Sequence, residues 1–274
     1  MMTSLMRSDW CKLQKSRSLK VCLLIAFILG AVMALLYHMA WVNLGESLGA
    51  TLSMMQMLGS SEQSIRQALE IIPQDDLWSY VNTALADTNV LYIAAIVIGV
   101  FVGSEYSMGT IKNSVSRGFS RNKVYASKLI FSVGVMLLTV LCYLLGTMIA
   151  AVSMFGFRSE GNASDIMLVL SAYLCEFIAV SSIYVWISFW LKSTGHSIAF
   201  SLVIPMLISS VLQVVSIVNN YTDAVSRFWI FQTVTSTRSL CLSGEAYVPF
   251  LSAAVYFAVS CFGGLMIFRH QELK

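Results

Sequence analysis

Six long uncharged stretches divide the chain. Counted between charged positions, with Glu176 passed over, they hold 25 residues after Lys20, 17 after Asp87, 29 after Lys128, 26 after Asp165, 30 after Lys192 and 23 after Glu245. Only the fourth stretch is interrupted, by Glu176. A helix needs about 17–25 mostly apolar residues to cross a membrane. Each stretch is continuously apolar, whereas a membrane β-barrel alternates with period two. The pattern therefore predicts six transmembrane helices.

We expect an all-α polytopic membrane protein whose residues 1–274 form a single transmembrane domain. The predicted spans cover about 20–42, 86–104, 129–155, 166–191, 196–218 and 246–268. The largest segment between the spans is the loop at about 43–87. Within that segment, Ser60 and Gln63 have the spacing of a capping box and predict a short helix that ends before Pro73.

The N-terminal residues predict an amphipathic helix over about 4–18. Leu5, Met6, Trp10 and Leu13 fall on one helical stripe, and the basic residues fall elsewhere. Such a helix can lie in the plane of the membrane interface, where its basic side chains contact anionic lipid. We therefore expect an interfacial helix that binds membrane lipid before the first span. The alternative is a basic tail that only sets the orientation of the chain.

The composition agrees with a membrane protein. The chain is 57% hydrophobic and 11% charged, whereas soluble domains average about 45–50% and about 25%. This balance excludes a soluble domain, a disordered chain, a disulfide-rich secreted module and a nucleic-acid-binding protein.

The charges predict the topology. Residues 1–20, 105–128, 192 and 269–274 contain 13 Lys or Arg and three acids, whereas the other loops contain four Lys or Arg and ten acids. Short loops rich in Lys and Arg stay in the cytoplasm. Both termini are therefore expected inside the cell.

No catalytic signature accompanies the spans. The sequence has no phosphate-binding G-x-x-x-x-G-K-[ST] and no G-x-S-x-G, and its three histidines lie on different segments. We expect neither an enzyme nor a metal-binding protein.

Four residues within the spans stand out. Glu176 is the one acid inside a span, and either fixes helix packing or lines a conduit. Gly99 and Gly103 form a GxxxG pattern that permits close helix packing. Pro205 removes a backbone hydrogen bond from the fifth span and can kink it.

The cytoplasmic segment from Glu105 to Lys128 is the most informative, with five cations and two glycines in 24 residues. We expect the second span to leave the membrane at Glu105 and the chain to turn at Gly109. A short basic helix follows, the chain breaks again at Gly118, and Ser120 begins the helix of the third span. This is either a simple cytoplasmic loop or a shaped docking element for a cytosolic partner.

This segment resembles the first cytoplasmic loop of ABC type-2 permeases, the membrane subunits of ATP-binding-cassette exporters. Loops of that family read E-x-x-x-G-T, then a short helix, then S-R and a lysine where the third span starts. The matching residues here are Glu105, Gly109, Thr110, Ser120, Arg121 and Lys128. In the family the loop is a coupling helix that sits in a groove of the ATPase. The resemblance implies a coupling role for Glu105, Gly109, Thr110, Ile111, Lys112, Arg117, Arg121, Lys123 and Lys128.

The resemblance also implies the partners. The chain would form half of a translocation pathway in a bacterial cell membrane, with a second permease, identical or related, and two separate ATPase subunits. Those subunits would bind ATP and magnesium, and this chain would hold no cofactor. Its apolar, Met-rich spans favour export of a hydrophobic or amphiphilic cargo such as a peptide, an antibiotic or a lipid-like molecule.

Two other functions remain open at this stage. One is a non-transporting membrane subunit for assembly or sensing, in which residues 105–128 are a generic docking loop. The other is a secondary transporter that uses Glu176, although the sequence offers no second titratable site within the spans.

Overall fold

A computed structural model of the chain describes residues 2–57, 76–157, 162–218 and 226–271. In these ranges all regular structure is helical. The ten helices are α1 (Met2–Lys15), α2 (Arg17–Met57), α3 (Leu77–Ala86), α4 (Thr88–Ser107), α5 (Thr110–Ser116), α6 (Arg121–Phe155), α7 (Ala163–Leu191), α8 (Thr194–Val218), α9 (Ile230–Leu242) and α10 (Tyr247–His270).

Six of these helices are long and apolar enough to cross a membrane, namely α2, α4, α6, α7, α8 and α10. This confirms the prediction of an all-α chain with six candidate spans. The third span differs most in its start, since α6 begins at Arg121 rather than near residue 129. The helix predicted after Ser60 lies outside the described residues.

The four shorter helices lie at the two ends of the bundle. Helices α1 and α5 pack beside the start of α6, at the same end as the last residues of α10. We call this the α5 end. Helices α3 and α9 contact each other at the opposite end, which we call the α9 end.

Helices α4 and α7 form the centre of the bundle. In the most apolar part of each span, 61% of the residues are buried in α4 and 50% in α7, against only 11% in α8. Both central helices contribute fully buried side chains to the main core, including Ile98 on α4 and Phe177 on α7. Helix α8 therefore lies at the periphery of the described bundle, where the described residues leave most of its apolar surface uncovered.

Glycines bring two helix pairs into backbone contact. A Cβ at Gly30 on α2 would collide with the carbonyl of Tyr143, and one at Gly146 on α6 would collide with the carbonyl of Phe27. The predicted Gly99 and Gly103 pattern joins α4 to the start of α8, where a Cβ at Gly103 would lie 2.7 Å from Thr194 Cα. Close approach of this kind needs glycine because any side chain would separate the helices.

Pro205 lies within α8, and the helix continues on both sides of it. Its side chain is buried, unlike those of its neighbours Met206 and Leu207. Pro205 thus belongs to the inner face of a largely uncovered helix.

Replacing Gly146 with alanine should destabilise the fold, because its Cβ would push α2 away from α6. We expect a loss of about 1–3 kcal/mol, measured as a lower thermal midpoint in detergent by fluorescence-detected size-exclusion chromatography. Gly134→Ala, on the same helix, is the matched control, because a Cβ at Gly134 would have no neighbour within 4 Å. Equal midpoints for the two variants would contradict the assigned α2–α6 contact.

Candidate functional site at the α5 end

Helix α5 is a two-turn helix held between two glycine turns. Gly109 has φ 67° and Gly118 has φ 88°, a backbone region that glycine adopts without strain. The Thr110 hydroxyl donates to the carbonyl of Glu105 at 3.1 Å and closes the first turn. The chain can therefore leave α4, form α5 and return into α6 within a short length.

One face of α5 is buried and the other is open. Ile111 is only 1% exposed and anchors the helix on the bundle. Lys112, Asn113, Ser116 and Arg117 are all exposed. Met108, just before the helix, is 75% exposed. The open surface is thus basic and polar, with one large apolar side chain at its edge.

A buried cluster of charges surrounds Glu105, which precedes α5 in the chain. Lys128 on α6 donates to Asp9 of α1 and contacts Glu105 of α4, each at 2.7 Å. Glu105 also accepts from Lys12 of α1 at 3.0 Å, and Ser127 donates to Asp9 at 2.7 Å. Two ammonium groups thus face two carboxylates, and the cluster carries no net charge.

This ion-pair cluster connects three helices. Asp9 and Lys128 are each 1% exposed, and Glu105 is 7% exposed. The Lys128 ammonium also lies 4.8 Å from the centre of the Phe101 ring, a cation–π contact. Buried charges are tolerated only when paired and hydrogen-bonded. Helices α1, α4 and α6 must therefore keep this arrangement for the charges to be satisfied.

Arg121, which follows α5 in the chain, forms a second cluster. Its guanidinium donates to the carbonyls of Phe268, Arg269 and Gln271 at 2.9, 2.6 and 2.8 Å. The last carbonyls of a helix have no partner within the helix. A cation there also interacts favourably with the helix dipole. Arg121 thus caps the end of α10.

Gln271 extends this cap to two further helices. Its amide donates to the carbonyl of Phe189 on α7 at 2.8 Å, and it accepts from the Tyr106 hydroxyl of α4 at 3.2 Å. The Phe189 ring packs edge-on against Tyr106, Tyr125 and Phe268. The ends of α4, α6, α7 and α10 therefore meet at one point, which we call the C-terminal cap.

The structure divides the residues that the resemblance implied for coupling. Glu105 and Lys128 lie inside the ion-pair cluster, and Arg121 lies in the C-terminal cap. Of the five cations in this coupling set, three are exposed: Lys112, Arg117 and, in the first turn of α6, Lys123. The buried residues therefore hold α5 in place, whereas the exposed ones are available to a partner.

Sequence reasoning missed Asp9 and Gln271. Asp9 stands four residues before Leu13, and both are buried against the bundle, whereas Trp10 on the predicted apolar stripe is 54% exposed. An acid that shares a helix face with an apolar residue, in a segment rich in Lys and Arg, indicates a buried ion pair. Gln271 follows the last span and shows no pattern by itself.

Glu176 belongs to a different part of the molecule. It lies on α7, is fully buried, and accepts from Thr237 of α9 at 2.8 Å. Its other carboxyl oxygen has no hydrogen-bond partner. Since Glu176 has no exposed surface in the described chain, this geometry favours its packing role over a conduit-lining role.

The described residues contain no group of three His, Cys, Asp or Glu side chains that could hold a metal ion.

The fold and this end of the bundle define a multi-pass membrane protein with an anchored, partly exposed basic helix. Residues 50–273 match the family described as a protein of unknown function, DUF2705, and the chain belongs to that family. No curated protein and no solved structure matches the chain.

Removing the buried lysine should cost far more stability than removing the exposed one. Lys128→Met leaves Asp9 without a cation and leaves Glu105 with Lys12 alone, and we expect a loss of about 3–5 kcal/mol. The side chain of Lys12 is 45% exposed, so Lys12→Met should cost at most about 1 kcal/mol. Thermal midpoints of the two purified variants measure the difference.

Adding Asp9→Asn to Lys128→Met should recover part of the loss, because one uncompensated carboxylate is removed. Similar midpoints for Lys128→Met and Lys12→Met, or no recovery in the double variant, would show that the cluster does not hold these helices.

Proposed function

We propose that this chain is the permease subunit of an ABC transporter and that α5 is the element that docks on a separate ATPase. The single observation that carries the proposal is the construction of α5. It presents exposed Lys112 and Arg117 outward, while the ion-pair cluster and the C-terminal cap fix its two flanks. A helix that only filled a loop would need no such anchoring.

The charge distribution supports a cytoplasmic position for α5. The segments at its end carry most of the Lys and Arg of the chain, and short basic loops remain in the cytoplasm. A cytosolic ATPase would therefore meet α5 directly. ATP and magnesium would bind in that partner, and this chain would contribute no catalytic residue.

The anchors also define how motion of α5 would spread. Displacement of α5 would act on α4 and α1 through Glu105, and on α10 through Arg121. It would act on α8 through the backbone contact at Gly103. Coupling between nucleotide and cargo needs two states that each ligand distinguishes. Because these helices are joined to α5, they can move together with it between the two states.

The uncovered apolar surface supports a second permease beside this one. Only 11% of the most apolar part of α8 is buried, and 22% in each of α2 and α10. These faces contact either lipid or a second permease, which is identical or related to this chain. Each chain would then supply half of a pathway for a hydrophobic or amphiphilic cargo in a bacterial cell membrane.

A pull-down from the native membrane in mild detergent tests the proposal, with mass spectrometry of the proteins that co-purify. We expect a stoichiometric ABC ATPase. Reversing the exposed charges with Lys112→Glu and Arg117→Glu should reduce its recovery by more than about tenfold. The ATPase surface that binds two cations would repel the two carboxylates that replace them.

The matched control is Lys15→Glu with Lys20→Glu, which changes the same number of exposed charges on α1 and α2. It should leave ATPase recovery unchanged. If no ATPase co-purifies with the unmodified chain, the permease assignment fails, and a non-transporting assembly or sensing subunit becomes the better description.

A further inference from the structure

A half-open cavity of about 230 Å³ lies between α4, α8 and α9, towards the α9 end. It is separate from the ion-pair cluster and from the C-terminal cap. Seven of its lining side chains end in a hydroxyl or a carboxamide: Thr88, Tyr92, Ser209, Ser210, Gln213, Gln232 and Thr235. Placing polar groups against lipid costs free energy. Their concentration here therefore indicates that the cavity holds a ligand or water rather than lipid hydrocarbon.

Among the residues that the structure describes, none of those lining the cavity carries a formal charge. A charged ligand group would leave water for a site without a counter-charge, which is strongly unfavourable. Hydroxyl and amide groups can instead exchange hydrogen bonds with the walls. The composition of the walls therefore selects an uncharged polar group.

The hydrogen bonds of the walls leave acceptors for a ligand. The hydroxyls of Ser210 and Thr235 donate to their own helices, at 2.8 Å to the carbonyl of Met206 and at 2.7 Å to that of Gln232. A hydroxyl has one donor and two acceptor positions, so each retains acceptor capacity. The Gln232 amide oxygen has no hydrogen-bond partner, but it is buried behind the wall, so a ligand reaches it only after the side chain turns towards the cavity. The cavity therefore favours a ligand that donates, such as a hydroxyl-rich group.

The surface beside the cavity is apolar. Val203, Leu207, Val211 and Val214 on α8 are each at least half exposed and recur at helical spacing. Met206, which lines the cavity itself, is 61% exposed. Pockets for drug-sized ligands measure about 300–1,000 Å³, so this cavity has room for a head group rather than a whole amphiphile.

We infer that this cavity binds the uncharged, hydroxyl-bearing head group of an amphiphile, whose apolar chain lies along α8. Its use as a cargo site rests on the proposed function, whereas the binding itself does not. Trp229 supports the wall, because its indole donates to the Ser209 hydroxyl at 2.8 Å. The site thus has one rigid aromatic support and several acceptors.

Photolabelling of the full chain in phosphatidylcholine nanodiscs, without any ATPase, tests the inference. The probe is a decyl glucoside with a diazirine in its chain, and labelled peptides are identified by mass spectrometry. We expect labels on α8 and α9 that octyl glucoside removes by competition. Octyl trimethylammonium and methyl glucoside should not compete, because the first is charged and the second has no chain.

Two variants and one control locate the site. Gln232→Leu removes the unpartnered acceptor, and Thr235→Val removes an exposed hydroxyl without a volume change that could affect folding. Each should reduce labelling, and together by about tenfold, the effect of losing one or two hydrogen bonds. Ser239→Ala, also on α9 but outside the lining, should label normally.

Unchanged labelling in the double variant would overturn the site. Equal competition by octyl trimethylammonium would overturn the uncharged head group, and equal competition by methyl glucoside would overturn the amphiphile. Labelling as expected with no ATPase in the pull-down would support the site while the permease assignment fails. The reverse pair of results would remove the site alone.

Discussion

A buried lysine determines how the α5 end is organised. The Lys128 ammonium is almost fully removed from water, and such a charge is stable only beside carboxylates that are also held in place. Asp9 and Glu105 come from two different helices, so satisfying one cation aligns α1 and α4 with α6. Helix α5 begins five residues after Glu105 and ends before α6. Its position therefore follows from the same electrostatic requirement, and the C-terminal cap at Arg121 fixes its other side.

Backbone contacts decide which surfaces of the bundle remain open. Gly30 and Gly146 let α2 and α6 approach so closely that no side chain separates them, and Gly103 does the same for α4 and α8. Helix α8 is held mainly along one face, where Pro205 is buried, and most of its apolar residues stay uncovered by the described part of the chain. The fold is thus closed around α4 and α7 and open around α8, where both the proposed second permease and the cavity are located.

The spans could be predicted from the sequence because each depends on a local property, the length of an uncharged apolar stretch. The short basic helix was also predictable, since Gly109 and Gly118 mark its ends. The partners of the charged residues were not, because Lys128 meets Asp9 across 119 positions and Arg121 meets carbonyls about 147 positions away. Nor does any local pattern show that Gly30 faces Gly146 or that Gln232 lines a cavity. Those contacts arise only when distant helices pack.

Helix α4 connects the two sites. It carries Glu105 in the ion-pair cluster at one end and Thr88 at the cavity at the other, about 26 Å apart at the rise of an α-helix. Helix α8 contacts it near Gly103 and also lines the cavity with Ser209 and Ser210. A shift of α4 against α8 at the α5 end therefore changes the walls of the cavity. By linkage, a ligand that prefers one shape of the cavity must favour one position of α5 to the same extent.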